Sequence, residues 1–324
     1  MSNPFDHLGS HFRLRRPLWL HQTEALGVAA SFLQERRGRY LFQLPTGSGK
    51  GLLIRYIAYL WLAESNRNRV LLVFPTEEVL RQFQREIEAE CALPYTVEKA
   101  SSRGQSYSRI VLASQNSLWS RIDKYESDRL CIFDECHHEN LNADSNIELV
   151  RKFALTFGFS ATPWSHGCES VFDRVHYSYP LSRAVGDLIC SPYRLEPWPE
   201  DESPQGTHEL FFCESNQDAR QHALRTSSSD YLTYEARSDG SYVRKMQSFS
   251  SGLIKRMYCN RMLTEGFDDK RISRILIGKE TKSDILNYQM VGRALRFQPA
   301  KIARIHCIDS PCALRVQAAL NRAR

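Results

Sequence analysis

Short apolar runs recur along the first half of the chain, each followed by a longer stretch with helical spacing. Leu41, Phe42 and Leu44 predict a short strand over 41–44. Residues 52–62 carry an almost continuous apolar pattern, which suits a helix buried on most of its surface. Further strands are expected at 70–74, where Pro75 stops the run, and at 109–113, 130–133 and 153–159. Residues 79–87 read as an amphipathic helix with Arg81, Gln82 and Arg85 on its polar face. Apolar strands that alternate with helices predict βαβ crossovers and a mostly parallel sheet flanked by helices.

Around 198–208 the pattern breaks into a polar, acidic stretch rich in Pro and Gly, which reads as a linker or exposed loop. After it the alternation restarts. Strands are expected at 210–212, 231–234, 257–259, 275–277 and 305–308, with helices over 218–225 and around 246–250. The chain is therefore read as two α/β domains, 1–197 and 209–324, joined by 198–208.

Chemistry enters at the end of the first strand. Pro45, Thr46, Gly47, Ser48, Gly49 and Lys50 form a phosphate-binding loop, whose glycines let backbone N–H groups turn toward a triphosphate while Lys50 reaches the β- and γ-phosphates. Ser or Thr normally follows that lysine and ligates Mg²⁺ with its hydroxyl, but here the position is Gly51. Asp134 and Glu135 follow directly on the apolar strand ending at Phe133. A carboxylate at the end of a parallel strand beside a phosphate loop is suited to holding a metal and activating water. Taken alone, an acidic pair after a strand is more often a solvated turn. Cys131, Cys136, His137 and His138 have the residue types of a zinc site, yet Cys131 lies inside an apolar strand and no second ligand pair follows.

Composition narrows the class without naming it. The chain is 42% apolar and 25% charged, as expected of a globular protein in water, and no apolar run approaches the roughly 18 residues of a membrane span. The N-terminus lacks the order of a signal peptide, and nine scattered cysteines without a CxxC pair suit a reducing cytoplasm. A net charge of +6 permits a polyanionic partner.

Six segments in order resemble the motifs of superfamily 2 DExH-box helicases and translocases, most of all the ATP-driven motors of type I and type III restriction enzymes. Gln22 matches the glutamine motif that reads adenine, residues 44–50 the phosphate loop, and Asp134-Glu135-Cys136-His137 the DExH box. Ser160-Ala161-Thr162 matches the motif that couples ATP state to nucleic-acid grip. Thr264, Gly266 and Asp268 match the second-domain motif that touches nucleic acid and ribose, and Gln289, Arg293 and Arg296 match the arginine-finger motif. Two arginines three residues apart on one helix would share a face and point at one phosphate.

The resemblance implies two RecA-like domains with ATP and Mg²⁺ in the crevice between them. Asp134 would bind the metal, Glu135 would deprotonate water, and Pro75, Thr76, Arg81, Ser114 and Gln115 would hold a strand backbone without reading its sequence. It further implies ATP hydrolysis coupled to movement on nucleic acid, DNA more than RNA, in the cytoplasm and with a protein partner that supplies specificity. Gly51 departs from the family pattern, and the compact second half favours simple translocation over vigorous strand separation. The other readings are a nucleic-acid scaffold, or motor-like subunit of a larger defence, repair or mobile-element complex, that binds ATP and hydrolyses it weakly, and an RNA helicase.

Overall fold

The computed structural model describes residues 12, 16–201, 203–206, 208–233, 235–238, 240–264 and 269–323. They form two compact units. The first takes the chain up to Leu44 and Gly49–Tyr179, while Pro45–Ser48 groups with Pro180–Arg324 in the second. The polar stretch 198–208, expected as a linker, holds neither helix nor strand among its described residues.

In the first unit the order is α1 (Leu20–Glu35), β1 (Gly38–Gln43), α2 (Lys50–Glu64), β2 (Val70–Phe74), α3 (Glu77–Glu90), β3 (Tyr95–Glu98), β4 (Ile110–Ser114) and α4 (Gln115–Leu118). It continues with β5 (Leu130–Asp134), α5 (Asp144–Arg151), β6 (Leu155–Ser160), α6 (His166–Val171) and β7 (Val175–Ser178). The strands form one seven-stranded sheet, β3-β4-β2-β5-β6-β1-β7, in which every neighbouring pair is parallel. Period-two alternation decides which face each residue serves. Leu71, Val73, Val111, Ala113, Cys131 and Phe133 point into one cluster with Ile147, Val150, Cys168 and Val171 of α5 and α6. The intervening Leu72, Leu112 and Ile132 are equally buried, so these central strands are covered on both faces.

The second unit runs α7 (Leu181–Gly186), β8 (Tyr193–Glu196), β9 (Glu209–Cys213), α8 (Asn216–Arg225), β10 (Ser229–Leu232), α9 (Glu235–Ser238), α10 (Ser241–Ser250) and β11 (Arg256–Cys259). Then come β12 (Arg274–Gly278), α11 (Asp284–Gly292), β13 (Ala303–Cys307) and α12 (Ser310–Arg322). Its six-stranded sheet has the order β10-β11-β9-β12-β13-β8, again with parallel neighbours throughout. Both halves thus show the expected doubly covered α/β architecture. Strand β8, which precedes the polar stretch, pairs with β13, so the second sheet takes in chain from before 198.

Strand β10 begins and ends two residues earlier than the apolar pattern around Tyr231 predicts. It is an edge strand whose register is set by β11, with Ser229 opposite Arg256 and Leu232 opposite Cys259. At the opposite end of this sheet from the strands' C-termini, Glu209 lies between Arg256 and Arg274 on its two neighbouring strands. Glu209 and Arg256 are both fully buried, and the guanidinium meets Glu209 Oε2 at 2.7 and 2.9 Å. Two backbone N–H groups, of Gln205 and Gly206, donate to the other carboxylate oxygen at 2.9 and 2.7 Å. This pair fastens the end of the irregular stretch to the first residues of the sheet.

Candidate nucleotide site

Three adjacent strands, β5, β6 and β1, deliver the site of the first unit. Gln43 lies opposite Ser160 and Asp134 opposite Phe159, so all three strands end within about a residue of one another. The loops that leave them therefore start from one edge of the sheet. That edge is the carboxyl end, where open α/β sheets bind their ligands.

The loop after β1 enters α2 with Gly49 as the cap and Lys50 as the first helical residue. Gly47 and Gly49 hold φ values of +88° and +79°, a region that side-chain-bearing residues avoid. A Cβ on Gly49 would stand 2.3 Å from Gln22 Nε2, so the position has no room for one. Ser48 turns inward, its N–H and Oγ both donating to the Pro45 carbonyl at 3.2 and 2.7 Å. The N-terminus of the 15-residue α2 thus faces the loop with its unsatisfied N–H groups and positive dipole end, the arrangement that receives a phosphate.

Lys50 is 8% exposed, and its Nζ meets Glu135 Oε1 at 3.1 Å. The same ammonium lies 3.5 Å from the Leu44 carbonyl. Glu135 occupies the left-handed region at φ +47°, a conformation that costs a non-glycine residue about 1–3 kcal/mol. Surrounding bonds hold it there. The Glu135 N–H donates to Asp134 Oδ1 at 3.1 Å, and the Cys136 N–H donates to the Phe159 carbonyl at 3.0 Å.

From Glu135 a chain of contacts runs to the loop after β6. His137 is buried, with Nδ1 3.4 Å from Glu135 Oε2 and 2.7 Å from Ser160 Oγ. The Thr162 N–H in turn donates to Ser160 Oγ at 2.9 Å. A change at the Lys50–Glu135 pair therefore has a direct mechanical route to residues 160–162. Cys136 is buried against Cys168, with the sulfurs 3.4 Å apart, and burial pushes its thiol well up, so it packs as a small apolar group.

Gln22 contributes in a way the sequence does not foretell. It is 1% exposed; its Oε1 accepts from the Trp19 N–H at 2.9 Å, and its Nε2 donates to the Gly49 carbonyl at 3.1 Å. The amide thus ties the start of α1 to the loop. Arg55, four residues beyond Gly51 on α2, was likewise not singled out by its motif. Its Nη1 reaches the Gly51 carbonyl at 3.4 Å, while Nε holds Glu90 of α3 at 2.8 Å and Nη1 also pairs with Glu86. The signal was an arginine inside an otherwise apolar helical run. A Cβ on Gly51 would meet nothing closer than Arg55 Nη1 at 3.9 Å. Space for a hydroxyl-bearing residue exists; what Gly51 lacks is the oxygen.

The residues expected to touch a strand backbone lie at the ends of β2 and β4. Pro75 ends β2, and Thr76 caps α3, its Oγ1 accepting from the Val79 N–H at 3.3 Å. Exposed Arg81 pairs with Glu77 at 3.3 Å. Ser114 bonds Ser117 through Oγ at 3.2 Å. Gln115 is fully buried, and neither its amide nitrogen nor its oxygen has a hydrogen-bond partner among the described residues; the Thr162 hydroxyl is in the same condition. Buried polar groups of this kind are uncommon and cost about 1–3 kcal/mol each.

In the second unit Thr264 is 7% exposed and donates from Oγ1 to the Arg261 carbonyl at 2.8 Å, whereas Gly266 and Asp268 lie outside the described residues. Gln289 is on α11. The expectation that Arg293 and Arg296 share one helix is not met, because α11 ends at Gly292 with Arg293 as its cap. Beyond it the Ser191 N–H takes the Leu295 carbonyl at 2.7 Å and Arg296 pairs with Cys190 in a short bridge, so backbone bonding to 190–191 replaces helical bonding. Burial lowers the Arg296 guanidinium to about 10, and the nearby Cys190 works against that shift.

Comparison with known proteins agrees with this geometry. The family described as the type III restriction enzyme res subunit matches residues 16–165. A 51.5 kDa protein of a Lactococcus phage (isolate 7-9) is 22% identical over 307 residues, covering 82% of this chain and 64% of its own length. Among solved structures, the DNA-bound ATP-dependent Type ISP restriction-modification enzyme LlaBIII is similar over 95% of this chain and 30% of its own, with TM-score 0.72 and 14% identity. S. cerevisiae Dbp5 bound to RNA and ADP BeF3 is similar over 98% of this chain and 93% of its own, with TM-score 0.62 and 12% identity. The chain thus spans under two thirds of the phage relative and under a third of the restriction enzyme. The resemblance read from the motifs is matched by that family model over residues 16–165, and the likeness to the solved structures shows the same fold.

Proposed function

We propose that this chain is an ATP-fuelled motor that moves on nucleic acid, DNA in preference to RNA. The observation that carries the reading is the 3.1 Å pair between Lys50 of the phosphate loop and Glu135 at the end of β5, beside the Ser160–Thr162 loop. A base, a phosphate-binding cation and a relay toward the nucleic-acid residues are the parts a hydrolytic motor requires. The likeness to a DNA-bound restriction enzyme supports DNA as the polymer, and the likeness to Dbp5 bound to RNA and ADP BeF3 keeps RNA as the alternative.

In this reading Lys50 and the first N–H groups of α2 bind the triphosphate, and Glu135 orients a water and accepts its proton. Gln289, Arg293 and Arg296 offset charge on the transferring phosphoryl group, the role in which an arginine is worth about 10³ or more in rate. Asp134 is the residue suited to hold Mg²⁺, which when bound neutralises charge on the phosphate oxygens. Water would take the ligand position that Gly51 leaves without a side-chain oxygen. Ser160 and Thr162 pass the state of the site to Thr76, Arg81, Ser114 and Gln115, where the buried amide of Gln115 would gain a partner from a bound strand. A cytoplasmic setting and a protein partner that confers specificity belong to the same proposal. No described helix is long and apolar enough to cross a membrane.

The test is steady-state ATP hydrolysis alone and with single-stranded DNA, single-stranded RNA and duplexes. Turnover stimulated by DNA more than RNA is expected; background turnover with ATP still bound would favour the weakly hydrolysing scaffold instead. Binding to both polymers should be compared across salt concentrations, because phosphate contacts give a steep salt slope and only 2′-hydroxyl contacts separate RNA from DNA.

Gly51→Thr should raise turnover about tenfold, within the roughly 10² that misplacing a reacting group costs. The site has the space, with the nearest side-chain atom at 3.9 Å. A matching fall in the Mg²⁺ concentration for half-maximal rate is expected. An unchanged rate and Mg²⁺ dependence would mean that another group already supplies the ligand.

A further inference from the structure

Helix α2 buries Leu53, Ile54, Tyr56, Ile57 and Ala58, and in the middle of that run it also buries Arg55, 4% exposed. Taking a guanidinium out of water is unfavourable unless other groups replace its lost hydrogen bonds. Here the replacements come from two places. Nε and Nη2 reach the two carboxylate oxygens of Glu90 at 2.8 and 3.5 Å, and Nη1 pairs with Glu86. Both acids are on α3, and four residues apart on one helix they would repel each other without a cation between them. The remaining contact runs back along α2, from Nη1 to the Gly51 carbonyl at 3.4 Å. The guanidinium lies over the Phe83 ring, 5.5 Å from its centroid, and Phe83 packs on Phe74 at 4.6 Å. Phe74 is the last residue of β2, directly before Pro75 and the Thr76 cap of α3.

We infer that Arg55 is a positioning residue that couples strand contact on α3 to the phosphate end of α2. The inference rests on the reading above, in which Thr76 and Arg81 meet a nucleic-acid backbone and Lys50 meets a triphosphate. A guanidinium is planar and rigid, so partners on its several edges are held at fixed distances from one another. The partners here are two side chains of α3 and the carbonyl of the residue after Lys50. A strand that pulls on the N-terminal turn of α3 displaces Glu86 and Glu90, and the fork carries that displacement to Gly51. A phosphate on Lys50 shifts the same turn of α2 from the other side. Each ligand then alters the geometry that the other meets, and linkage makes the effect equal in both directions. This route is separate from the one that begins at Glu135 and passes through His137 and Ser160. It lies wholly within the first unit.

Fluorescence anisotropy tests this by measuring affinity of the full chain for a single-stranded DNA oligonucleotide, without and with a saturating non-hydrolysable ATP analogue. In wild type the analogue should change DNA affinity about tenfold, within the usual range for coupled sites. Arg55→Lys keeps the charge and loses the planar fork. Glu86→Ala removes a partner that is 39% exposed and puts the best helix former in its place, so α3 should fold in that variant. In both variants the ratio of the two affinities should fall to about twofold or less. A merely structural bond would, on breaking, weaken both ligands and leave that ratio alone. The double variant should show no further loss, because both changes break one connection. Additive losses would put the two side chains on separate routes and overturn the inference. A wild-type ratio kept in both single variants would overturn it too, as would a wild type that binds both ligands without coupling. Failure of the wild type to bind the analogue or the DNA would instead overturn the motor reading, and this inference with it.

Discussion

Glu135→Gln is expected to reduce polymer-stimulated ATP turnover by about 10²–10⁴, the range general-base catalysis supplies, while ATP still binds. The amide keeps the size of the carboxylate and can still accept from Lys50, now 3.1 Å from Glu135 Oε1. It cannot take a proton from water. The exchange also removes the negative charge that holds Lys50 when no phosphate is present, so affinity for ATP should stay level or rise. Steady-state hydrolysis and equilibrium ATP binding, measured on one preparation, separate the two effects. Parallel loss of binding and turnover would show that Glu135 shapes the loop and is not the base. Its backbone conformation sharpens the test, because φ of +47° is kept whichever side chain follows, and Gln pays the same strain as Glu.

Arg256→Met should destabilise the second unit by about 3–5 kcal/mol, the cost of leaving a buried charge without its partner. Glu209 and Arg256 are each 0% exposed, so water offers the orphaned carboxylate no replacement. Arg274 Nη1 at 3.5 Å and the N–H groups of Gln205 and Gly206 remain near Glu209, which keeps the loss at the lower end of that range. Arg256 also donates to the Ser203 carbonyl at 3.2 Å and the Tyr258 hydroxyl at 3.1 Å, so residues 203–206 should loosen along with β9 and β11. Urea unfolding gives the energy, and hydrogen exchange gives the place. A loss below about 1 kcal/mol, the worth of an exposed pair, would mean that the site admits water freely. Glu209→Gln with Arg256→Met should be less damaging than the sum of the single changes, because the amide oxygen still serves the two backbone donors.

Much of the first unit was legible because its central strands are apolar on both faces. Val70 to Phe74 and Ile110 to Ser114 are buried at every position, and a run of five such residues ended by Pro75 or Gln115 has few other interpretations. The edges were less legible. Strands β3, β7 and β8 are only partly buried, carry mixed polar sequence, and owe their conformation to a single partner each. The same weakness misplaced β10 and let a helix be drawn through Arg296, where bonding to Cys190 and Ser191 ends it.

The loop of residues 45–50, the acidic pair at Asp134 and Glu135, and the missing hydroxyl at Gly51 were fixed by the chain alone, since each is a matter of residue type at short spacing. Which groups meet was decided only by the tertiary structure. Lys50 and Glu135 are separated by 85 positions in sequence yet joined at 3.1 Å because β6 lies between β1 and β5 and all three strands end together. Gln22, at the start of α1, is locked to Gly49 across 27 positions because α1 packs against the loop that enters α2. Periodicity records the face on which a residue lies. It carries no record of which strand will be its neighbour, and that choice placed the chemistry.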